Sequence, residues 1–267
     1  MLRWPYFLSA VLVPLGIASF SARPAPAADI PPTAAPIRVA IYDDAGGNEK
    51  GPINCERCLP SAQGFATKRV KAADIRAGAL DRFDVLIQPG GSGSNQAKAL
   101  EQEGRDKIRD FVAAGGGYLG ICAGSYLASA DYEWSIGLLD AKVLDRKHWA
   151  RGKGDVEMRL EGAGQQFLDE KRPAVTIHYA QGPLLAPAGK AEIPDYEQLA
   201  VFETEMAKNG APVGVMKGTT AAARGAFGKG RVFCFSPHPE QTDGLEHYIE
   251  AAVRWVAPEK AASAKSE

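Results

Sequence analysis

The stretch GGGYLGICAGSYLAS, residues 115–129, places Cys122 directly after a short apolar run. Glycines stand two residues before and two residues after this cysteine. A strand that turns sharply into a helix strains the backbone of its turn residue, and flanking glycines remove side chains that would collide there. We therefore predict a nucleophile elbow that projects the thiol of Cys122 into a cleft. The alternative is a buried cysteine followed by a helix that begins with small residues.

Apolar segments of strand length surround this stretch. IRVAIY (37–42), FDVLIQ (83–88) and YLGIC (118–122) are nearly continuous apolar runs, as expected of strands buried on both faces. Residues 95–114 between the last two runs show helical spacing and end at three glycines, and AADIRAGAL (72–80) indicates another short helix. This alternation predicts an α/β fold with a mostly parallel sheet and helices on both faces.

The second half of the chain has a different texture, which predicts an added β-rich segment. Five segments read as strands separated by Gly/Pro turns: DVEMRLEG, AVTIHYAQGP, EQLAVFE, PVGVMKG and GAFGKGRVFCFS. The last of them buries Cys234. GLEHYIEAAVRWVA then indicates a closing helix. We predict one domain over residues 37–257, followed by a disordered polar tail at 258–267.

The N-terminus has the layout of a secretory signal peptide. Arg3 precedes an apolar run over residues 4–20, and small residues end in Ala25-Pro26-Ala27. The alternative, a transmembrane anchor, is disfavoured because the run is short and contains two prolines. We predict a signal peptide at 1–27, a linker at 28–36, and a periplasmic or secreted mature protein that is not attached to the membrane.

Composition narrows the classes of partner. The 267 residues carry a formal net charge of −1, which offers no basic footprint for nucleic acid. The basic stretch DRKHWARGK (145–153) reads as a solvated loop. We expect a small-molecule substrate, no cofactor and no metal, and we consider a homodimer as one possible assembly.

The motif Cys55-Glu56-Arg57-Cys58 allows two interpretations. In an oxidising compartment the two cysteines favour a local disulfide, whereas a thioredoxin-like redox pair is the alternative. Such redox pairs sit at the start of a helix after a strand, but a polar, Gly-containing loop separates this motif from the strand at 37–42. We therefore predict a structural bridge between Cys55 and Cys58.

A general base for Cys122 is found in SPHPE, residues 236–240, directly after a predicted strand. A free thiol is a weak nucleophile at neutral pH and needs a base. His238 supplies one, and Glu240 can hold its tautomer and stabilise the imidazolium. By itself a His–Glu pair is more often a surface hydrogen bond.

An oxyanion hole is suggested by the turn PGGSG, residues 89–93, which follows the second apolar run. The backbone N–H groups of Gly91 or Ser92 could act with that of Ala123 on a developing oxyanion. The alternative is an ordinary flexible turn. Three such pieces at the carboxyl ends of strands are the arrangement that an active site in an α/β sheet requires.

The order PGG…GICAG…HPE resembles the class I glutamine amidotransferase-like superfamily, and most closely the N-terminal domain of biotin–protein ligases and its free-standing bacterial relatives. The likeness spans about residues 37–256 and includes IYDDAG, GICAGSYLAS and HYAQGP. It implies a flavodoxin-like three-layer sandwich. It also implies that Cys122 is the nucleophile, His238 the base and Glu240 its partner.

One departure separates this chain from glutaminases of that superfamily. They commonly carry Gln four residues after the nucleophile, whereas this chain carries Tyr126. We therefore expect a cysteine-dependent hydrolase acting on a carboxamide or related C–N bond through a thioester. The alternative is an inactive small-ligand binding or sensor protein on the same scaffold. Further candidate substrate-binding residues are Ser92, Tyr126, His178, Tyr179 and Gln181.

Overall fold

The computed structural model describes residue 1 and residues 35–259. The predicted signal peptide, apart from residue 1, and most of the linker and tail lie outside the described residues. The strands are β1 (Ile37–Tyr42), β2 (Phe65–Val70), β3 (Val85–Gln88), β4 (Gly117–Ile121), β5 (Ala141–Leu144), β6 (Lys153–Leu160), β7 (Ala174–Ala180), β8 (Leu184–Pro187), β9 (Glu197–Phe202), β10 (Thr220–Phe227) and β11 (Gly230–Phe235). The α-helices are α1 (Lys50–Cys58), α2 (Ala72–Arg76), α3 (Gly93–Ala113), α4 (Ala123–Ala128), α5 (Gly162–Phe167) and α6 (Glu246–Val256).

One mixed sheet runs through the fold, in the order β2-β1-β3-β4-β11-β10-β9-β6-β7. The pairs from β2 to β11 are parallel, and those from β11 to β7 are antiparallel. A short pair, β5 with β8, attaches to β10. The predicted parallel sheet with an added β-rich segment is confirmed.

Two apolar cores cover the faces of the sheet, which makes three layers. Alternate residues of β1 enter different cores, with Val39 and Ile41 on one face and Ala40 and Tyr42 on the other. The first core is closed by α1 and α6, and the second by α2, α3 and α4. The predicted three-layer α/β sandwich is therefore confirmed.

Two local expectations were wrong. The segment PVGVMKG (212–218) forms turns, because Gly214 and Gly218 both have positive φ and interrupt an extended run. The region before the CxxC motif is only partly a loop, since α1 begins at Lys50 and contains both cysteines. The helix predicted at 95–114 is present as α3, with a break at Glu101, where φ is 58°.

Candidate active site

The turn from β4 into α4 has the strained geometry that its sequence predicts. Cys122 has φ 51° and ψ −100°, a backbone conformation that residues other than glycine rarely adopt. A Cβ on Gly120 would come within 2.7 Å of the Gly124 backbone, and one on Gly124 would overlap the backbone oxygen of Gln88. Both flanking glycines are therefore required by close backbone approach.

Hydrogen bonds from β11 hold the turn in place. The backbone N–H of Cys122 donates to the Phe235 carbonyl at 2.8 Å. The buried hydroxyl of Ser125 donates to the same carbonyl at 2.8 Å. Because Phe235 ends β11 and precedes the HPE segment, these bonds couple the position of the cysteine to that of His238. Ser125 is a contributor that sequence reasoning missed.

The structure brings His238 and Glu240 together beside this turn. The Nδ1 atom of His238 lies 2.8 Å from Oε1 of Glu240, and the two side chains are 3% and 0% exposed. The imidazole also lies against the cysteine: a Cβ on Gly90 would be 2.8 Å from His238 Cε1 and 3.7 Å from Cys122 Cβ. The three residues named as nucleophile, base and carboxylate thus form one cluster.

Charge raises the pKa of His238 despite its burial. Burial alone lowers that pKa, but the charge of Glu240 and, next, the Cys122 sulfur outweigh it and raise the pKa to about 10. The Nε2 atom has no hydrogen-bond partner among the described atoms. The Sγ atom of Cys122 instead faces the Ala180 carbonyl at 3.5 Å. An imidazolium with an unused N–H next to a sulfur is suited to hold and deliver a proton.

Gln241 and a loop glycine complete the surroundings of the imidazole. The side-chain N–H of Gln241 donates to Oε1 of Glu240 at 3.0 Å, which fixes the carboxylate against Nδ1 of His238. Gly90 lies next to both His238 and Cys122, so the PGG turn covers the cluster. Sequence reasoning named neither residue for these roles, although each adjoins a residue that it did name.

The two predicted oxyanion donors have free N–H groups within the described chain. Gly91 pairs only as an isolated bridge with Gly47, and no backbone or side-chain acceptor meets its N–H. Ala123 is the first residue of α4, so its N–H has no intrahelical acceptor. Ser92 N–H is occupied by the Gly46 carbonyl at 2.7 Å. This leaves Gly91 and Ala123 as the available pair.

Of the other candidate substrate residues, His178 and Tyr179 lie in β7 and Gln181 follows it directly, whereas Tyr126 lies in α4 and Ser92 precedes α3. The centres of the His178 and His238 rings are 6.0 Å apart. The backbone N–H of His238 donates to the backbone carbonyl of His178 at 2.8 Å. Tyr179 is fully buried, and its hydroxyl donates to the Gly182 carbonyl at 2.8 Å. The hydroxyl of Tyr126 donates to the Gln181 carbonyl at 3.2 Å. The hydroxyl of Ser92 lies 3.4 Å from that of Ser94.

The remaining cysteines are free thiols. Cys55 and Cys58 lie one turn apart on α1, and both are buried. The structure therefore contains no bridge between them, and their disulfide stays a prediction. Cys234 lies in β11 with no exposed surface, in agreement with the strand position predicted for it.

The cavities include one far from the cluster and one beside it. One, of about 590 Å³, is lined by Arg38, Gly116 and Pro258 at the other end of the sheet, away from Cys122. Another, of about 450 Å³, is lined in part by His178 and Gln241, both of which contact His238. Cys122 itself is only 4% exposed, so solvent reaches little of this residue. No helix in the described part of the chain is long and apolar enough to cross a membrane.

Comparison with known proteins agrees with this geometry. Residues 37–260 match the family described as "Biotin-protein ligase, N terminal". The chain belongs to the biotin–protein ligase N-terminal family. That membership confirms the resemblance to the glutamine amidotransferase-like superfamily drawn from the PGG, GICAG and HPE motifs.

Relatives of known sequence include proteins of two kinds. The pyridoxal 5'-phosphate synthase subunit PdxT of Halorubrum lacusprofundi is 32% identical over 188 residues, which cover 68% of this chain and 80% of that protein. The biotin–protein ligase of Schizosaccharomyces pombe is 35% identical over 117 residues, which cover 42% of this chain and 18% of that ligase. The match to the ligase is therefore limited to a small part of it.

Solved structures share the fold at low sequence identity. A ThuA-like protein from Parabacteroides merdae superposes with a TM-score of 0.55 at 11% identity, over 85% of this chain and 92% of that one. At this identity the likeness shows the fold alone. It supports the three-layer α/β architecture independently of the sequence motifs.

Proposed function

We propose that this protein is a cysteine-dependent hydrolase of the glutamine amidotransferase-like type, acting on a carboxamide or related C–N bond. One observation carries the proposal: a strained Cys122 lies beside His238, whose Nδ1 atom is 2.8 Å from Glu240 and whose Nε2 atom is unpartnered. Family membership and the PdxT relatives support this general class of activity.

The chemistry begins with the proton on His238. The raised pKa of His238 supports an imidazolium next to the sulfur, so the thiolate of Cys122 attacks the amide carbonyl. The N–H groups of Gly91 and Ala123 stabilise the oxyanion. His238 then protonates the leaving nitrogen, the C–N bond breaks, and a thioester remains on Cys122. Water attacks this thioester while His238 takes its proton, which releases the acid and restores the thiolate and the imidazolium.

Replacing the sulfur tests this mechanism. We expect Cys122→Ser to keep the fold, measured by circular dichroism, and to abolish ammonia release from a panel of primary amides. The expected loss is about 1000-fold or more, since the nucleophile and its base act as a unit. Hydrolysis that survives the substitution would overturn the proposal.

A second function is favoured by Tyr126. This residue occupies the position where glutaminases of the superfamily commonly carry Gln, and its hydroxyl is bonded to the Gln181 carbonyl. The 4% exposure of Cys122 also fits a site that binds without turnover. In that case the protein is a small-ligand binding or sensor protein. A wild-type chain that releases no ammonia from any amide, yet gains thermal stability with a small ligand, would favour this alternative.

Export and assembly belong to the same proposal. The layout of Arg3, the apolar run at 4–20 and Ala25-Pro26-Ala27 supports a secreted or periplasmic protein. Mass spectrometry of the mature chain should find a new N-terminus near residue 28. The relatives named PdxT are subunits by name, which supports an association with further copies or partners. Light scattering of the purified protein would show whether it forms a homodimer.

A further inference from the structure

Cys55 and Cys58 are a second pair of reactive side chains, which the proposed mechanism does not use. They lie three residues apart at the end of α1, so they share one face of the helix. Helix geometry places their Cα atoms about 5 Å apart, within the range of a disulfide. Their Cβ atoms are about 5–6 Å apart on a regular helix and must approach to about 4 Å before the sulfurs can bond. Forming a bridge therefore tightens the last turn of α1.

Cys58 is the more accessible of the two thiols. Cys55 has no exposed surface, whereas Cys58 is 5% exposed and lines a cavity of about 300 Å³. Arg57, Glu246 and His247 line the same cavity. A small molecule in this cavity can therefore meet the sulfur of Cys58, while Cys55 is placed to attack that sulfur from the inside.

The last turn of α1 is attached to the segment that carries the proposed base. Arg57 stands between the two cysteines in the sequence, and its Nη2 atom donates to the backbone carbonyl of Glu240 at 3.0 Å. Its Nη1 atom lies 3.9 Å from Oε1 of Glu246 on α6. When the turn tightens, Arg57 moves with it, and so does the donor of the hydrogen bond to Glu240.

The carboxylate of Glu240 is held from one side only. Its Oε1 atom lies 2.8 Å from Nδ1 of His238 and accepts the side-chain N–H of Gln241 at 3.0 Å. Its Oε2 atom is buried and has no hydrogen-bond partner among the described atoms. Burial and then the charge of Glu240 raise the pKa of both α1 thiols, so the carboxylate lies close to them. A shift of its backbone carbonyl therefore changes the contact with His238.

We propose that Cys55 and Cys58 form a reversible disulfide that slows the chemistry of Cys122. The bridge acts by moving Glu240 away from His238, so the inference concerns regulation of the same site and rests on the proposed function. The oxidant is a small disulfide such as glutathione disulfide. The thiolate of Cys58 attacks one of its sulfurs, which gives a mixed disulfide and releases one glutathione. Cys55 then attacks the sulfur of Cys58 and releases the second glutathione, and the two protein thiol protons end on the released thiols.

The first experiment locates the exchange. Protein that carries Cys122→Ser is incubated with glutathione disulfide at about pH 8.5, because burial raises the pKa of Cys58 to about 12 and slows the exchange at neutral pH. Peptide mass spectrometry should find a bridge between Cys55 and Cys58 that excess glutathione reverses. With Cys55→Ala added, glutathione should remain on Cys58; with Cys58→Ala added, Cys55 should stay unmodified. If no bridge forms at any ratio of glutathione disulfide to glutathione, the proposal is overturned.

The second experiment measures the effect on Cys122. Wild-type protein with the bridge and a free Cys122, verified by intact mass, is compared with reduced protein. Alkylation of Cys122 by iodoacetamide should be about tenfold slower in the bridged form, since a small displacement of a positioned group lowers reactivity strongly. Equal rates in the two forms would contradict the proposal, and this comparison needs no variant.

Arg57→Met and Arg69→Met form a matched pair that tests the route. Arg57→Met should give the same slow rate in both forms, because the bond to the Glu240 carbonyl is already lost. Arg69 also holds α1, since its Nη2 atom donates to Oε2 of Glu56 at 2.6 Å, but that bond does not reach the HPE segment. Arg69→Met should therefore keep the full difference between the two forms. An equal loss of the difference in both variants would show that the effect does not pass through Arg57.

Failure of the proposed function gives a different result. Wild-type Cys122 would then react in neither form, and no ammonia would be released from amides. The displacement of Glu240 is still measured by NMR titration of His238 in the Cys122→Ser protein. Burial lowers the pKa of His238 and the charge of Glu240 raises it, so this pKa should be lower in the bridged form. An identical pKa in the two forms would show that Glu240 has not moved and would overturn the proposal.

Discussion

Two groups of thiols lie near the same carboxylate, Glu240, yet their surroundings differ. On α1, burial raises the pKa of Cys55 and Cys58, and the charge of Glu240 raises it further, to about 12 for Cys58. At the end of β4, the His238 imidazole stands beside Cys122 and is bonded to Glu240. The charge of Glu240 thus raises the pKa of the α1 thiols, whereas beside Cys122 the same carboxylate is bonded to an imidazole.

Backbone strain is the second difference. The α1 cysteines have helical backbone, whereas Cys122 has φ 51°. Cys234, opposite Gly120 in the neighbouring strand β11, provides a third case, in which burial raises the thiol pKa to about 12 without strain or imidazole. The comparison teaches that burial is shared by all four sulfurs and is not what distinguishes Cys122.

The largest loss of stability is expected from a substitution that disrupts the turn between β4 and α4. Gly124→Ala would place a Cβ on the Gln88 backbone oxygen, which cannot move away as a flexible side chain could. We expect a loss of about 3 kcal/mol in the free energy of unfolding, measured by urea denaturation. Gly162→Ala is the control, because a Cβ there meets nothing within 4 Å. It should change the stability by about 0.5 kcal/mol or less. Equal effects in the two variants would contradict the role of Gly124.

The next effect separates Cys122 from the other thiols chemically. His238→Asn removes the imidazolium, and we expect the rate of Cys122 alkylation by iodoacetamide at pH 7 to fall about 100-fold. The rate is followed by peptide mass spectrometry, which also reports Cys55, Cys58 and Cys234 in the same sample.

His247→Asn is the matched control for this change, because His247 is exposed on α6 and its ring lies against that of Tyr248. It should leave the alkylation rate unchanged. If Cys122 in the wild type reacts no faster than Cys234, the comparison between the two groups fails.

The pH dependence of stability gives a smaller effect. The pKa of His238 is raised from 6.5 to about 10 in the folded state. The stabilisation from its interactions with Glu240 and Cys122 is therefore fully present below pH 6.5 and is lost as the pH rises toward 10. The difference in unfolding free energy between wild type and His238→Asn should therefore shrink as the pH rises across this range. A difference that stays constant or grows with pH would contradict the raised pKa.

Much of the fold was predictable because its signals are local. Continuous apolar runs identify β1, β3 and β4 as buried strands, and the glycines around Cys122 predict the elbow that the structure contains. The strand predicted at 212–218 was wrong because the valines of this segment are typical of a strand. The positive φ of two of its glycines produces turns instead. Helix α1 was missed because its polar residues and Pro52 suggest a loop.

The site was predictable only in part, for a physical reason. Cys122, His238 and Glu240 belong to motifs, so their residue types indicate chemistry before any coordinates exist. Gly90, Ser125 and Gln241 act through position, and their contacts depend on how β4, β11 and the PGG turn meet. Arg151 was misassigned to solvent because a basic stretch of sequence does not show which cation is turned inward.

The smallest change in the Cys122 alkylation rate is expected from substitutions at the two cysteines of α1. Cys55→Ala with Cys58→Ala removes both thiols that sense the charge of Glu240, but leaves the His238–Glu240 contact at 2.8 Å untouched. We expect Cys122 alkylation to stay within about twofold of the wild type, because the imidazole screens the sulfur from changes behind the carboxylate. Stability should fall by about 1–2 kcal/mol from the lost packing, as measured by urea unfolding.

A tenfold or greater change in the Cys122 alkylation rate would instead show that the α1 thiols and Cys122 are electrostatically coupled. The connection would then run through α1, since Nη2 of Arg57 donates to the backbone carbonyl of Glu240 at 3.0 Å and ties the helix to the HPE segment. Arg57→Met distinguishes the two routes. If the cysteine pair acts through that tie, Arg57→Met should reproduce the change with both thiols present; if the thiols act through their own charge, it should not.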